Sequence, residues 1–377
     1  MRRAIALVLI VLSLGIGLVL YGAPAQRELV TWHLPQAGSL PSGVAWTETT
    51  VYATLFEADA LAALDLRTGT LEKIEIGDGP YGIAIKDGFV YVTLALEDKL
   101  AVYKPGPSTL HTYALPTPGG WPAQLDSALW NPGAAYFAIN QRTAGRLVYF
   151  QVNQGQIPDG GTPYQTTSRL AVDASTIHPR SITVQPLTIH VYPIGEVPQA
   201  QLTLAKTVRP PFTEWQVGQG RHLEDVSVAP SGRFWMVQGD ATLLRFDPST
   251  NLADVYALPL GTKAVSVDAS SYGNDIVFLD GGRNAVGELQ FHSGKVTVWP
   301  IPGAGDLADL VRDAHDRLWF VDREADVVVC LDRGNNTFYF YDVPAGSSPG
   351  GLVTGRDGLD IWFVAEQGDY IGKLVAE

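Results

Sequence analysis

Pro300-Ile301-Pro302, Leu307 to Val311, Leu318-Trp319-Phe320-Val321, Val327-Val328-Val329-Cys330-Leu331 and Asp342-Val343-Pro344 form one unit of the pattern that decides the fold. Short runs of β-branched and aromatic residues are separated by Gly, Asp and Asn, as expected of strands joined by tight turns. Each unit ends on an apolar residue followed by Pro or Gly. The same ending recurs at Trp32-His33-Leu34-Pro35, Ile74-Glu75-Ile76-Gly77, Tyr113-Ala114-Leu115-Pro116, Gln216-Val217-Gly218 and Ala257-Leu258-Pro259. The closing residues fall at 35, 77, 116, 218, 259, 302 and 344, giving intervals of 42, 39, 102, 41, 43 and 42. A period of about 40 residues with one interval lengthened by about 60 is the spacing of a β-propeller carrying one insertion. No sustained 3.6-residue periodicity supports a helical solenoid.

Within each interval a first short strand, such as Gly82-Ile83-Ala84-Ile85, is followed by a turn such as Lys86-Asp87-Gly88 and an aromatic second strand, Val90-Tyr91-Val92-Thr93. A third strand follows, and a fourth returns to the Pro or Gly. The last unit, Ala345 to Glu377, has only three such runs, and Leu29 to Pro35 is the orphan strand able to complete it. The expected fold is therefore all-β: a seven-bladed β-propeller of four-stranded antiparallel blades, closed by the N-terminal strand. Residues 26–377 would form the propeller, with a β-rich insertion at 151–209 in the third blade. That insertion lacks a second aromatic strand, which favours an insertion over a hidden eighth blade. Leaving after a third strand, it is expected on the bottom face, either as an arm used in docking or assembly or as an ornamental loop.

The chain has 377 residues, 46% of them hydrophobic, and a formal net charge of −13. This composition supports a sizeable core and excludes a wholly disordered or collagen-like chain. Its acidic excess disfavours nucleic acid as a partner. Arg2-Arg3 precedes an uncharged run from Ala4 that ends in Ala23-Pro24-Ala25, so residues 1–25 read as a signal peptide or an N-terminal membrane anchor. On this reading the protein is extracytoplasmic, secreted or anchored to the cell membrane through a tether at residues 4–23. Cys330 is the single cysteine. Within its apolar run it is expected to be a buried strand residue rather than a reactive thiol.

Leu318-Trp319-Phe320-Val321, and above all the run Asp360-Ile361-Trp362-Phe363-Val364-Ala365-Glu366-Gln367-Gly368-Asp369-Tyr370-Ile371-Gly372-Lys373-Leu374, resembles the repeat of the virginiamycin B lyase (streptogramin lyase) family of seven-bladed propellers. In that repeat a Gly-bounded turn precedes an aromatic strand ending near a Glu, and an Ile-Gly-Lys/Arg strand follows. The resemblance covers most of residues 29–377 outside the insertion. It implies elimination across the ester of a cyclic depsipeptide by a His general base, with a neighbouring Glu and a magnesium ion near the central channel. Where the family's strand often ends in Glu, this chain has Leu55, Leu94, Gln238, Asp280, Asp322 and Ala365. The family's paired catalytic His residues cannot be assigned one by one.

In a blade of this kind, the turns before the first strand and after the second lie on the top face. His222 and Glu224, in Arg221-His222-Leu223-Glu224-Asp225, are the candidate catalytic residues at the channel mouth. Asp280, Asp322, Gln238 and Glu366 are candidate ligand-binding groups at the ends of second strands. The alternative is that such Asp residues satisfy neighbouring backbone N–H groups. No cofactor is required by the sequence, but the carboxylates could take a divalent cation, magnesium or calcium. No metal motif identifies its ligands. Two functions follow: an extracytoplasmic binding or assembly module of the cell envelope, whose partner would be an envelope protein, a glycan or a small ligand, or a lyase-like enzyme working at the top of the channel.

Overall fold

The computed structural model describes residues 26–127, 134–153, 157–158, 160–190, 198, 200–217, 221–269 and 275–376. Seven antiparallel sheets are arranged as blades, each built outward from an inner strand: Pro41–Trp46, Pro80–Lys86, Pro122–Ser127, Asp225–Val228, Ala264–Asp268, Leu307–Arg312 and Pro349–Thr354 for blades 1 to 7. The second strands carry the large side chains that fill the spaces between blades. Trp235, Trp319, Phe320, Phe363 and Tyr91 are all fully or nearly fully buried. Trp319 stacks on Tyr341 at 5.5 Å, and Trp32 on Trp362 at 5.4 Å. Cys330 is buried on the strand Val327–Asp332.

The strand count corrects the expected architecture. Among the described residues six blades have five strands and blade 2 has four. The fifth strands all come from the segment expected to be a bottom-face arm. After Arg146–Asn153 of blade 3, Gly161 bridges Leu110 of blade 2. Gln165–Arg169 then pairs with blade 1, Val172–Ile177 with blade 7, Arg180–Thr183 with blade 6, and Leu187–His190 with blade 5. Ala200–Thr203 pairs with blade 4, and Ala205–Arg209 reaches blade 3 again beside Phe212–Gln216. The insertion is thus a belt that makes one lap of the ring. Its physical logic is edge protection: each four-stranded blade would present a row of unpaired N–H and C=O groups, and the belt satisfies them.

The closure is corrected too. Arg27–His33 pairs with Tyr370–Val375 on one side and with the belt strand Val172–Ile177 on the other, so it is an interior strand of blade 7 and not its outer edge. Among the described residues no sheet closes on itself by hydrogen bonds; the ring is an array of open sheets joined by packing and by backbone and side-chain hydrogen bonds between blades.

Among the described residues no helix is long and apolar enough to cross a membrane. The expected membrane tether at residues 4–23, and an address anchored through it, are corrected to that extent. Residues 1–25, where both were placed, lie outside the described residues.

Inner strands crowd around the axis. A Cβ at Gly82 would lie 2.2 Å from the Ala123 carbonyl oxygen, and one at Gly43 would lie 2.7 Å from that of Tyr81. Side-chain hydroxyls stitch these strands together: Thr54 donates to the Tyr81 carbonyl and Thr93 to that of Ala123, each at 2.8 Å. Six inner strands, all but that of blade 4, also shift register against their neighbours. Such bulges re-aim side chains, and here they place residues such as Tyr81 and Asp309 on the wall of the channel.

Candidate functional site

The central channel encloses a cavity of about 470 Å³ lined by the inner strands, including Tyr81, Asp126, Asp225, Asp268 and Asp309. Asp309 occupies the bulge between Ala308 and Leu310 with φ of 51°, and its carboxylate accepts the Gly351 N–H at 2.9 Å. Arg323 Nη2 lies 3.8 Å from Asp309 and 3.2 Å from Glu366, joining blades 6 and 7 at the top of the channel. Tyr81 faces the same group from blade 2, close enough to feel the charges of Asp309, Arg323 and Glu366.

The charges bias one another. Burial raises the Glu366 carboxyl above its ordinary value, with Arg323 opposing and Asp309 and Asp306 reinforcing the rise. Burial also raises the Tyr81 phenol. For Arg323, burial pulls the guanidinium down, but Asp309 and Glu366 outweigh it and keep it firmly charged. The mouth therefore holds a proton-accepting carboxylate, a fixed cation and a neutral phenol.

The expected site residues divide into four groups. His222 is exposed, with Nδ1 3.9 Å from Glu224 Oε1, while Glu224 binds Arg142 Nη2 at 2.6 Å and Nε at 2.8 Å. Glu366 belongs to the Arg323 cluster. Asp280 and Asp322 are turned into their own turns: Asp280 Oδ1 accepts the N–H groups of Lys263, Gly282 and Arg283, and Asp322 accepts those of Gly305, Asp306 and Ala325. Gln238 Nε2 is buried and has no hydrogen-bond partner among the described residues.

A divalent cation needs several oxygen ligands at once. Here Asp280 and Asp322 accept backbone N–H groups, while Glu224, Asp309 and Glu366 face guanidinium groups. Among the described residues no group of three or more His, Cys, Asp or Glu side chains is placed to hold a metal ion. These residues do not fit the magnesium ion implied by the resemblance, so the chemistry below uses the chain's own groups.

Asp309, Tyr81, Arg323 and Arg142 were not legible as site residues from spacing. One signal existed for Asp309: a lone carboxylate interrupting the apolar first strand Leu307-Ala308-Asp309-Leu310-Val311. Asp225, which opens the strand Asp225-Val226-Ser227-Val228, carries the same signal. It is half-buried on the channel wall, and its carboxylate accepts the Ser266 hydroxyl at 2.8 Å and the Val267 N–H at 2.9 Å.

Fold and site together define a seven-bladed, belted propeller with a titratable channel mouth. No family model and no curated protein matches the chain. Among solved structures it is similar to a streptogramin B lyase, with 16% identity, coverage of 93% of this chain and 98% of that one, and a TM-score of 0.67. It is equally similar to a catalytically inactive virginiamycin B lyase from Staphylococcus aureus with quinupristin, at 16% identity, 93% and 99% coverage, and a TM-score of 0.67. The hydrazine synthase of Kuenenia stuttgartiensis also matches, at 12% identity, 91% and 98% coverage, and a TM-score of 0.61. The resemblance to virginiamycin B lyase-like propellers is therefore broad in coverage and distant in sequence. It shows the fold; activity has to be argued from the site.

Proposed function

We propose that the chain is a lyase-like propeller enzyme that opens an ester-containing peptide by elimination at the top of its channel. The observation that carries this reading is the convergence of Glu366, Arg323, Asp309 and Tyr81 on the mouth of the channel cavity. Glu366 takes the proton from the carbon next to a carbonyl group. The electron pair released forms a carbon–carbon double bond to the neighbouring carbon, whose bond to the ester oxygen breaks. The leaving carboxylate carries away that bond's electrons. Arg323 offsets the negative charge that develops on the carbonyl oxygen, and Tyr81 donates a hydrogen bond to the departing carboxylate. Asp309 holds Arg323 in place. The streptogramin and virginiamycin lyases of the same fold support an ester-bearing peptide as the substrate class.

The test is mass spectrometry of quinupristin incubated with the purified chain. Ring opening by elimination leaves the mass unchanged and creates a double bond, whereas hydrolysis adds the mass of a water. Loss of the eliminated product in Glu366→Gln and Arg323→Met supports the reading. Full turnover in both variants sinks it. Retention of intact quinupristin on the protein would instead support a binding module.

A further inference from the structure

The belt leaves a gap at blade 2. Its two ends meet the outer strand of that blade, Thr109–Ala114, from opposite directions. At one end the Leu110 N–H donates to the Gly161 carbonyl at 2.8 Å, and at the other the Arg209 guanidinium donates to the Pro116 carbonyl at 3.0 Å. Backbone bonds along an antiparallel strand alternate between its two sides. The Leu110 N–H faces the belt and the Leu115 N–H faces the Asp98 carbonyl on the inner side, so Thr112 and Ala114 turn their N–H and C=O groups outward. Both residues are exposed, and among the described residues no strand pairs with them on that side. On the other six blades an extended segment of four to six residues fills the equivalent place.

The gap also has side-chain chemistry. Beside it Tyr113, Leu115, Pro211 and Phe212, together with Arg209, line a cavity of about 250 Å³. Arg209 is exposed and meets no carboxylate among the described residues, in a chain whose net charge is −13. An unpaired edge is a template for one more strand. Extended peptides add to such edges by main-chain bonds, and neighbouring pockets choose their side chains.

We propose that this gap docks an extended segment of a partner protein, added antiparallel as the fifth strand of blade 2. An acidic side chain of that segment meets Arg209, and an apolar one enters the cavity. A second copy of this chain is the poorer occupant, because the belt ends flanking its own edge leave it Thr112 and Ala114 alone to pair. The site stands apart from the channel mouth and does not depend on the reaction proposed there.

The probe is a fluorescein-labelled, amidated pentapeptide, Glu-Leu-Thr-Val-Thr, titrated into the purified chain and followed by fluorescence anisotropy. Saturable binding is expected. N-methylation of one alternate set of its residues should weaken binding at least about fivefold, while methylation of the other set leaves it within about twofold, because a strand pairs through one side. Ala114→Pro removes an N–H that the fold leaves unpaired, so it should weaken binding at least about fivefold with the melting temperature unchanged. Arg209→Met and a Glu-to-Gln change in the peptide should each weaken binding, and together no more than either alone. If Ala114→Pro fails to fold, the two methylated peptides decide the matter on the wild-type chain. No binding up to millimolar peptide, or equal effects of the two methylation sets, overturns the proposal. Wild-type dimers in sedimentation that Ala114→Pro abolishes would give the edge to a second copy and overturn the partner.

Discussion

Asp369 accepts the backbone N–H of Ser39 at 2.9 Å and its hydroxyl at 2.8 Å, tying the last blade to the first top-face loop across 330 positions of sequence. The same carboxylate takes the Gly38 N–H at 2.6 Å. The device repeats: Asp326 accepts from Gly346 and Ser348, Asp98 from Gly119 and Gly120, and Asp59 from Gly79. All four aspartates have a positive φ, close to 50°. Each turn thus offers a carboxylate to the next blade's loop. At the junction of the two chain ends no covalent link helps, so Asp369→Ala should lower stability by about 1–3 kcal/mol in urea unfolding. A loss within the noise of the measurement would mean that water replaces the clamp at no cost.

This clamp explains what the sequence could and could not reveal. Spacing alone located seven units, while the turn aspartates were visible only as part of the overall acidic charge of −13. Their partners were not visible, because the N–H groups they satisfy belong to the following blade's loop. The same limit hid the belt. Its strands are four to six residues long, and most of their side chains are exposed. They pair through backbone groups, which leave little hydrophobic pattern to read. Asp309 and Tyr81 escaped because bulges, invisible to a period-two reading, decide which inner-strand side chains face the channel.

The belt should act as an edge cover more than as a core element. Phe150 pairs with Phe212, and the Gln151 N–H already reaches the Pro211 carbonyl at 3.0 Å, so a short turn can join Gln151 to Pro211. The shortened chain should keep its β-rich circular dichroism yet self-associate in size-exclusion chromatography, through six newly exposed edges. A monomeric, fully soluble product would assign the belt some other purpose.

The belt is pinned at few points, among them Leu170, packed between blades 7 and 1, and Leu204, in the cluster of blades 3 and 4. Leu204→Ala should cost about 2–3 kcal/mol, the lower end for a buried leucine, because a belt can settle into part of the space. Hydrogen exchange across 198–209 should quicken in that variant while the inner strands keep their protection. Equal acceleration throughout the ring would mean that belt and blades unfold as one unit.

Asp225 makes stability depend on pH in an unusual direction. Burial raises its carboxyl from 3.8 to about 7, against the opposing hydrogen bonds from Val267, Ser266 and Val226. Between those values the folded chain holds a proton that the unfolded chain has released. Stability from this group therefore falls as pH rises from about 4 to 7, by up to about 1.4 kcal/mol per unit, and is level above. Asp225→Asn should flatten that part of a urea-midpoint profile measured from pH 4 to 8. An unchanged slope in the variant would place the titration on another group.

Glu366 gives the activity its own pH signature. As a base it must be ionised, and burial raises its carboxyl above the ordinary 4.5, so kcat/KM for ester elimination should climb as pH rises through a midpoint above that value. Arg323 opposes the rise by favouring the charged carboxylate. Arg323→Met should therefore move the midpoint further up as well as lower the rate, by about 10²-fold or more if the guanidinium stabilises the developing oxyanion. His222→Ala leaves this limb in place if Glu366 is the base, and abolishes it if His222, 3.9 Å from Glu224, performs the proton transfer. A profile that keeps its midpoint in Arg323→Met and loses it in His222→Ala would transfer the base from blade 7 to blade 4.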